Sequence, residues 1–169
     1  SYPARFGNLH LTLQSLLRQS VQPDVVVLWI APGDMALLPW RVLRLQDQGL
    51  TILPAADTRS FKKIIPALTR FPDAAIVTAD DDLYFGPEWL EELVAAWRED
   101  PSSLPCHRAH AMRLSADGTP RPYREWQFEV DAGPAHPAIF PTSGAGVLYP
   151  PGSLHPDVLR EDLFLQLCP

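Results

Sequence analysis

The sequence is poor in cysteine, in net positive charge and in long apolar runs. Two cysteines among 169 residues, Cys106 and Cys168, are too few for a disulfide framework, so we expect both thiols to be structural and the chain to be cytoplasmic. The formal net charge of −6 argues against nucleic acid or an anionic membrane as the main partner. No apolar run approaches the ~18 residues of a membrane span. We therefore expect no transmembrane segment, and only peripheral contact with a membrane stays open.

Short apolar runs alternate with amphipathic segments along the first hundred residues. Strand-length apolar runs occupy residues 25–30, 50–53 and 74–78. Helical spacing covers about 9–19, 39–48 and 60–71, where Pro66 weakens the middle, and it resumes after Gly86-Pro87. The alternation predicts one α/β domain, 1–169, with a doubly wound, mainly parallel sheet flanked by helices.

The pattern changes after Pro101. Residues 106–114 and 121–130 flank the turn signal Asp117-Gly118 and predict a small antiparallel hairpin. Residues 144–149 predict a glycine-led strand, and a last helix is expected from about Pro156. A βα unit needs a strand before its first helix, and none precedes Arg5, so we expect a fragment truncated at both ends.

Three consecutive carboxylates, Asp80, Asp81 and Asp82, follow the third apolar run. At ~5 Å and an effective dielectric constant of ~20, each like-charged pair costs about 3 kcal/mol, unless water or a cation compensates the charges. Ligands of open α/β sheets bind beyond the carboxyl ends of the strands, where this triplet is predicted to lie. If the chain stays extended, Asp80 and Asp82 point to one side, which suits Mg²⁺ or Mn²⁺.

A helix cap and a solvated acidic turn are the two other interpretations of the triplet. A helix cap fails on spacing, because the next helix starts near Pro87 and Leu-Tyr-Phe intervenes. A solvated acidic turn stays open, although the apolar residues directly on both sides argue against it.

The blocks SYPARF, SLLRQSVQPDVVVLWIAPGD, SFKKIIPALTRFPDAAIVTADDDLYF, YREW and GAGVLYPP span nearly the whole chain. Together they resemble bacterial glycosyltransferases of the GT-A fold, related to family 2 and tied to cell-surface polysaccharide synthesis, with TADDD in the place of the DxD motif. The resemblance implies a hexosyltransferase-type enzyme that moves a sugar from a nucleotide-diphosphate donor to a saccharide acceptor. It places the nucleotide-sugar half at about 1–100 and the acceptor half at about 101–169.

The resemblance also implies roles for individual residues. Asp80 and Asp82 would hold Mn²⁺ or Mg²⁺, with Asp82 as the direct ligand. The nucleotide sugar would meet Tyr2, Pro3, Arg5, Lys62, Lys63, Asp80 and Asp81. The alternative for the two lysines, which are predicted to begin a helix, is a solvated face. The alternative for Tyr2 and Arg5 is a frayed terminus.

On the acceptor side, Tyr123 and Trp126 resemble aromatic residues that stack on sugar rings, with a core tryptophan as the alternative. Gly144 and Gly146 either let the backbone approach a substrate or mark a bulge.

The catalytic base is left unassigned by the sequence. In the resembling family a second acidic pair follows a Cys-Pro, and this sequence ends at Cys168-Pro169. Glu161 and Asp162 are the nearby substitutes, although as first-turn residues of a helix they also fit favourable capping charges. The fragment is therefore expected to bind donor and to catalyse poorly.

Two functions from other classes stay open. A metal-dependent phosphohydrolase also uses aspartates after a parallel strand, but the sequence offers no second acidic cluster. A catalytically silent nucleotide-binding or interaction domain on the same fold is the other. The sugar, the base, the acceptor and the stereochemical outcome are not encoded in any recognisable pattern.

Overall fold

A computed structural model describes residues 1–131, 133 and 136–167 as a mixed α/β structure. The helices and strands are α1 (Phe6–Leu16), β1 (Val26–Ile30), α2 (Trp40–Leu43), β2 (Leu50–Pro54), α3 (Ile65–Arg70), β3 (Ile76–Thr78), α4 (Trp89–Glu99), β4 (Ala109–Ala111), β5 (Ile139–Pro141), β6 (Val147–Tyr149) and α5 (Glu161–Leu167). Short 3₁₀ helices cover Pro3–Arg5, Pro32–Leu37, Arg44–Gln48, Arg59–Lys63, Tyr123–Glu125 and Pro156–Leu159. Cys168 and Pro169 lie outside the described residues.

The strands pair in three short ladders. β1 runs parallel to β2, while β3 is antiparallel to β6 and β4 is antiparallel to β5. A single bridge between Cys106 and Val147 joins the segment before β4 to β6. Within the described part of the chain, the predicted parallel pairing is therefore seen between β1 and β2, and the other two ladders are antiparallel.

Strand β1 is buried on both of its faces. Leu28 and Ile30 pack into a cluster with α1, whereas Trp29, which points the other way, packs with Ala67 of α3 and Ile76 of β3. A strand covered on both sides reads as a continuous apolar run, and residues 25–30 have that pattern. The sequence prediction for this strand is confirmed.

The predicted hairpin is only partly formed as a ladder. Ala111 forms reciprocal backbone hydrogen bonds with Gln127, and Leu114 bridges Pro120 across the turn at Gly118. The regular ladder partner of β4, however, is β5, which the sequence analysis left unassigned.

The predicted helix over 60–71 is broken in two. The 3₁₀ helix ends at Lys63, and α3 begins at Ile65 with Pro66 in its first turn, where a missing N–H costs no hydrogen bond. Lys62 and Lys63 therefore end a 3₁₀ helix. The prediction that these lysines begin a helix was wrong.

No helix in the described part of the chain is long and apolar enough to cross a membrane.

Candidate functional site

The candidate site lies where the chain leaves β1, β2 and β3. The Ser1 nitrogen lies 3.5 Å from the Trp29 carbonyl oxygen of β1 and 4.0 Å from Asp81 Oδ2. Asp57 follows β2, and the triplet follows β3. The N-terminal segment is thus placed against the strand ends, at the edge of the fold where the triplet was predicted to lie.

Arg5 connects the N-terminal segment to the triplet. Its Nη1 donates hydrogen bonds to Asp81 Oδ1 at 2.8 Å and to Asp82 Oδ2 at 2.7 Å. The Arg5 guanidinium also lies 5.7 Å from the centroid of the Tyr2 ring, and its Nε donates to the Tyr2 hydroxyl. Tyr2 and Arg5 are held in place, so the alternative of a frayed terminus fails; Pro3 opens the 3₁₀ helix that contains Arg5.

The two lysines contact different carboxylates. Lys63 Nζ donates to Asp80 Oδ1, which makes an ion pair. Lys62 is only 5% exposed and donates to Asp57 Oδ1 at 2.9 Å. A charged side chain that deeply buried is expected to have a charged partner. The interpretation of Lys62 as part of a solvated face was wrong.

The orientation predicted for the triplet was also wrong. Asp81 and Asp82 share Arg5, while Asp80 turns towards Lys63. The alternation argument requires an extended chain, but β3 ends at Thr78 and the backbone turns at Asp81 and Asp82. Asp81 and Asp82, whose side chains would lie on opposite faces of an extended strand, therefore both contact Arg5.

The triplet offers donors for a divalent cation without forming a closed cage. In the part of the chain that the structure describes, no group of three or more His, Cys, Asp or Glu side chains converges on one point. Mg²⁺ and Mn²⁺ are commonly held by one or two carboxylates together with substrate phosphates and water. Asp82 is half exposed, and its Oδ1 has no partner among the described residues. The donor chemistry thus fits a cation that arrives with a diphosphate.

Asp81 is ionised more readily than an ordinary aspartate. Burial acts to raise the pKa of its carboxyl, but Ser1 and the Arg5 guanidinium outweigh that effect and hold the pKa below its usual value. The carboxylate form of Asp81 is therefore the one that the fold stabilises.

The two glycines of the predicted strand 144–149 make room for protein side chains. A Cβ on Gly144 would overlap the Asp80 carboxylate, and the Asp80 N–H donates to the Gly144 carbonyl at 3.2 Å. Gly146 has a φ of +122°, and a Cβ there would lie 2.6 Å from the Trp89 ring. Gly144 thus positions Asp80, and Gly146 accommodates the indole whose Nε1 donates to the Ala145 carbonyl.

Three buried polar residues hold the segment that follows the triplet, two of them on α1 and one just after its end. The Thr12 hydroxyl donates to the Asp81 carbonyl at 3.2 Å, and the Ser15 hydroxyl accepts from the Phe85 N–H at 3.2 Å. Gln19 donates to the Gly86 carbonyl and accepts from the N–H of Leu90 in α4. These residues were not predicted from the sequence, although the i, i+3 spacing of Thr12 and Ser15 puts both on one face of α1.

The remaining predicted site residues lie elsewhere. Tyr123 and Trp126 contact each other edge to face, with ring centroids 5.1 Å apart, in a partly exposed aromatic cluster that also includes His110, Phe128 and Phe140. Trp126 is half-buried and its Nε1 donates to the Arg121 carbonyl, so it is not a fully buried core residue.

Glu161 and Asp162 do not meet the triplet in the structure. Glu161 lines a cavity of about 460 Å³ with Trp29 and Thr58, whereas Asp81 and Asp82 line a separate cleft. Asp162 accepts two hydrogen bonds from Arg160. These bonds are the main reason that the pKa of the Asp162 carboxyl lies below its usual value. A carboxylate of lowered pKa is a weak proton acceptor, which makes Asp162 a poor catalytic base.

No protein-family model matches the chain, and no curated protein matches it either.

A substitution at Gly144 should act through Asp80. We expect Gly144→Ala to lower the free energy of unfolding by about 1 kcal/mol, because the new Cβ displaces Asp80 from Lys63. When Asp80 is also replaced by alanine, no carboxylate lies in the way of the new Cβ. Gly144→Ala should then leave the free energy of unfolding almost unchanged. Urea unfolding of the wild type, the two single variants and the double variant measures these free energies. If Gly144→Ala lowered the free energy of unfolding equally with and without Asp80, this role of Gly144 would be contradicted.

Gly146→Ala serves as the comparison for Gly144→Ala. We expect it to lower the free energy of unfolding by about 2–4 kcal/mol, because alanine is strained in the left-handed region and its Cβ would overlap the Trp89 ring.

The charge pair of Arg5 and Asp81 should make stability depend on pH. The folded-state pKa of Asp81 lies below the unfolded value, so the stabilisation is complete above the unfolded pKa and is lost as the pH falls through the folded pKa. Between about pH 4 and about pH 2, the free energy of unfolding should therefore fall less steeply in Arg5→Gln than in the wild type. Denaturant unfolding across this range measures both slopes.

Arg18→Gln removes the same charge from an exposed position in the turn after α1 and serves as the control. Equal slopes for wild type and Arg5→Gln would show that Arg5 does not set the ionisation of Asp81.

Proposed function

We propose that the chain is a GT-A-type glycosyltransferase domain that binds a nucleotide-diphosphate sugar where the N-terminal segment meets the triplet. The observation that carries the proposal is the placement of three consecutive carboxylates beside Arg5 and Lys63 at the carboxyl end of a buried strand. Carboxylates for a cation and basic groups for phosphate are needed within one site if a metal-bound diphosphate is to be held there.

The arrangement of elements supports the doubly wound form of this fold. β1 and β2 are parallel and are covered by α1 on one face, and α3 packs against the other face of β1. Helices on both faces of parallel strands are the basis of doubly wound sheets. Ile76 of β3 packs with Trp29 of β1, and we propose that this contact places the antiparallel ladder of β3 and β6 beside the parallel pair.

An exchange of ion pairs explains how the donor would be bound. Asp82 and Asp80 would hold Mn²⁺ or Mg²⁺, and when bound the cation would neutralise charge on the leaving diphosphate. Arg5 and Lys63, released from the carboxylates, would donate to phosphate oxygens. Since the carboxylates already have cationic partners, we expect the metal and the diphosphate to bind together more tightly than either binds alone.

The nearby ion pair between the buried Lys62 and the exposed Asp57 gives Lys62 a structural part in this scheme. Lys62 is enclosed and already neutralised, so it would support the 3₁₀ helix that presents Lys63. Lys63 is then the lysine that we expect to meet the phosphates.

The catalytic base stays unassigned. Asp162 is committed to Arg160, and Glu161 lines the other cavity. For the acceptor side, we retain Tyr123 and Trp126 as candidates, because Tyr123 is about half exposed and its ring can stack on a sugar. Gly144 and Gly146 are better explained by Asp80 and Trp89.

A nucleotide-binding or interaction domain without catalysis is the second candidate. The favouring observation is that each carboxylate of the triplet contacts a cation of the chain, Arg5 for Asp81 and Asp82 and Lys63 for Asp80, so most of the negative charge is compensated without a ligand. A phosphohydrolase is less well supported, because the described residues contain no convergent group of three acidic or metal-binding side chains.

Thermal unfolding with UDP, GDP and CDP, each with and without Mn²⁺, tests the proposal. At a hundredfold excess over the dissociation constant, one nucleotide with Mn²⁺ should raise the melting temperature by about 5–10 °C. Asp80→Asn and Asp82→Asn should remove this rise. The exposed Asp73→Asn is the matched control and should retain it.

The proposal fails if no nucleotide raises the melting temperature, or if both triplet variants respond like the wild type. Transfer of labelled sugar from the selected donor then separates an active enzyme from the silent domain.

A further inference from the structure

A second feature of the site is an open cleft between α1 and the segment that follows the triplet. Its volume is about 420 Å³, within the range of small-molecule sites. Arg5, Asn8, Leu11, Asp82, Leu83 and Tyr84 are among the residues that line it. The cleft therefore begins at the carboxylates of the triplet and continues along an apolar wall.

Tyr84 is held out into solvent by a fixed backbone. Its side chain is 76% exposed, and within the described residues no ring or cation packs against it. The segment is nevertheless anchored at both ends, by the hydrogen bond from Thr12 to the Asp81 carbonyl and by that from the Phe85 N–H to Ser15. Because this segment is hydrogen-bonded at both ends, the Tyr84 ring can stack on a ligand without a large loss of backbone conformational entropy.

The polar groups of the cleft are suited to hydroxyl groups. Asp82 offers a carboxylate oxygen that accepts hydrogen bonds, and the exposed Asn8 amide can both donate and accept. A pyranose ring carries hydroxyls on its rim and C–H groups on its faces, so it would match Asp82 and Asn8 on one side and the Tyr84 ring on another.

The charges of the cleft argue against the main competing ligands. Asp81 and Asp82 both line it and already pair with Arg5, the basic side chain among its lining residues, which leaves no uncompensated positive charge for an acidic peptide or a free anion. The exposed Leu11 and Leu83 beside Tyr84 favour a ligand with an apolar face. A neutral sugar ring satisfies both conditions.

We propose that this cleft is a saccharide subsite, in which the Tyr84 ring stacks on a pyranose and Asp82 and Asn8 bind its hydroxyls. The proposal deepens the proposed function, on which it rests for the class of ligand. The ring could be the sugar of the donor or that of the acceptor, and the experiment below separates these sources.

Nuclear magnetic resonance of the chain with ¹³C-labelled tyrosine rings tests the subsite directly. The sequence contains four tyrosines, and loss of one signal in Tyr84→Phe identifies Tyr84. The probes are the methyl glycosides of glucose, galactose, mannose and N-acetylglucosamine, then UDP-glucose and GDP-mannose, and finally UDP and GDP, each with Mg²⁺, which is diamagnetic and does not broaden the Tyr84 signal. We expect the Tyr84 signal to shift with at least one ligand that carries a sugar.

Variants of Tyr84 measure how much its ring contributes to the affinity for the ligand. Tyr84→Ala should weaken the dissociation constant of the responding ligand about three- to tenfold, while Tyr84→Phe, which keeps the ring, should stay within about twofold of the wild type. Trp40→Ala removes another exposed aromatic ring and should leave the dissociation constant unchanged.

Each outcome decides between the possibilities. A shift with methyl glycosides supports an acceptor ring, and a shift with sugar nucleotides but not with UDP or GDP supports a donor ring. An unmoved Tyr84 signal with every probe, an equal shift with UDP or GDP alone, or an unchanged affinity in Tyr84→Ala overturns the subsite.

Failure of the subsite can be told apart from failure of the proposed function. If a nucleotide raises the melting temperature in an Asp82-dependent way and Tyr84 does not respond, only the subsite is overturned. If methyl glycosides shift Tyr84 and no nucleotide binds, the subsite stands and the donor site is overturned.

Discussion

The site depends on the compensation of three adjacent carboxylates by cations from distant parts of the chain. Arg5 Nη1 bonds both Asp81 and Asp82, and Lys63 bonds Asp80. The N-terminal segment and the 3₁₀ helix before α3 must therefore meet the turn after β3. Separate segments are fixed against one another because like charges this close need opposite charges nearby.

The neutral groups around the triplet serve the same arrangement. Thr12 and Ser15 bind the backbone on either side of residues 82–84, and Gly144 leaves the space that the Asp80 carboxylate fills. The polar face of α1 and the loop before β6 thus hold the triplet from two sides. The proposed donor site would exchange protein cations for a metal-bound diphosphate, and a backbone that stays fixed while the side chains change partners would favour that exchange.

Local patterns predicted more of this protein than did arguments about orientation. The apolar runs at 25–30, 50–53 and 74–78 coincide with β1, β2 and β3 to within two residues at each end, because buried strands need continuous apolar sequence. The position of the triplet at a strand end followed from the same pattern. The direction of its side chains did not, because the turn at Asp81 and Asp82 is set by contacts with Arg5 and Thr12, which are distant in sequence. The burial of Lys62 and the space at Gly144 depend on long-range packing for the same reason.

The measurement that tests the central claim most directly is the electron paramagnetic resonance of free Mn²⁺ in the presence of the chain and the nucleoside diphosphate selected by thermal unfolding. The account predicts that the chain alone binds Mn²⁺ weakly, that the chain and the diphosphate together remove more free Mn²⁺ than the sum of their separate effects, and that Asp82→Asn abolishes this excess. An excess that survives in Asp82→Asn, or no excess at all, would contradict the claim that the triplet and its cations form a donor site.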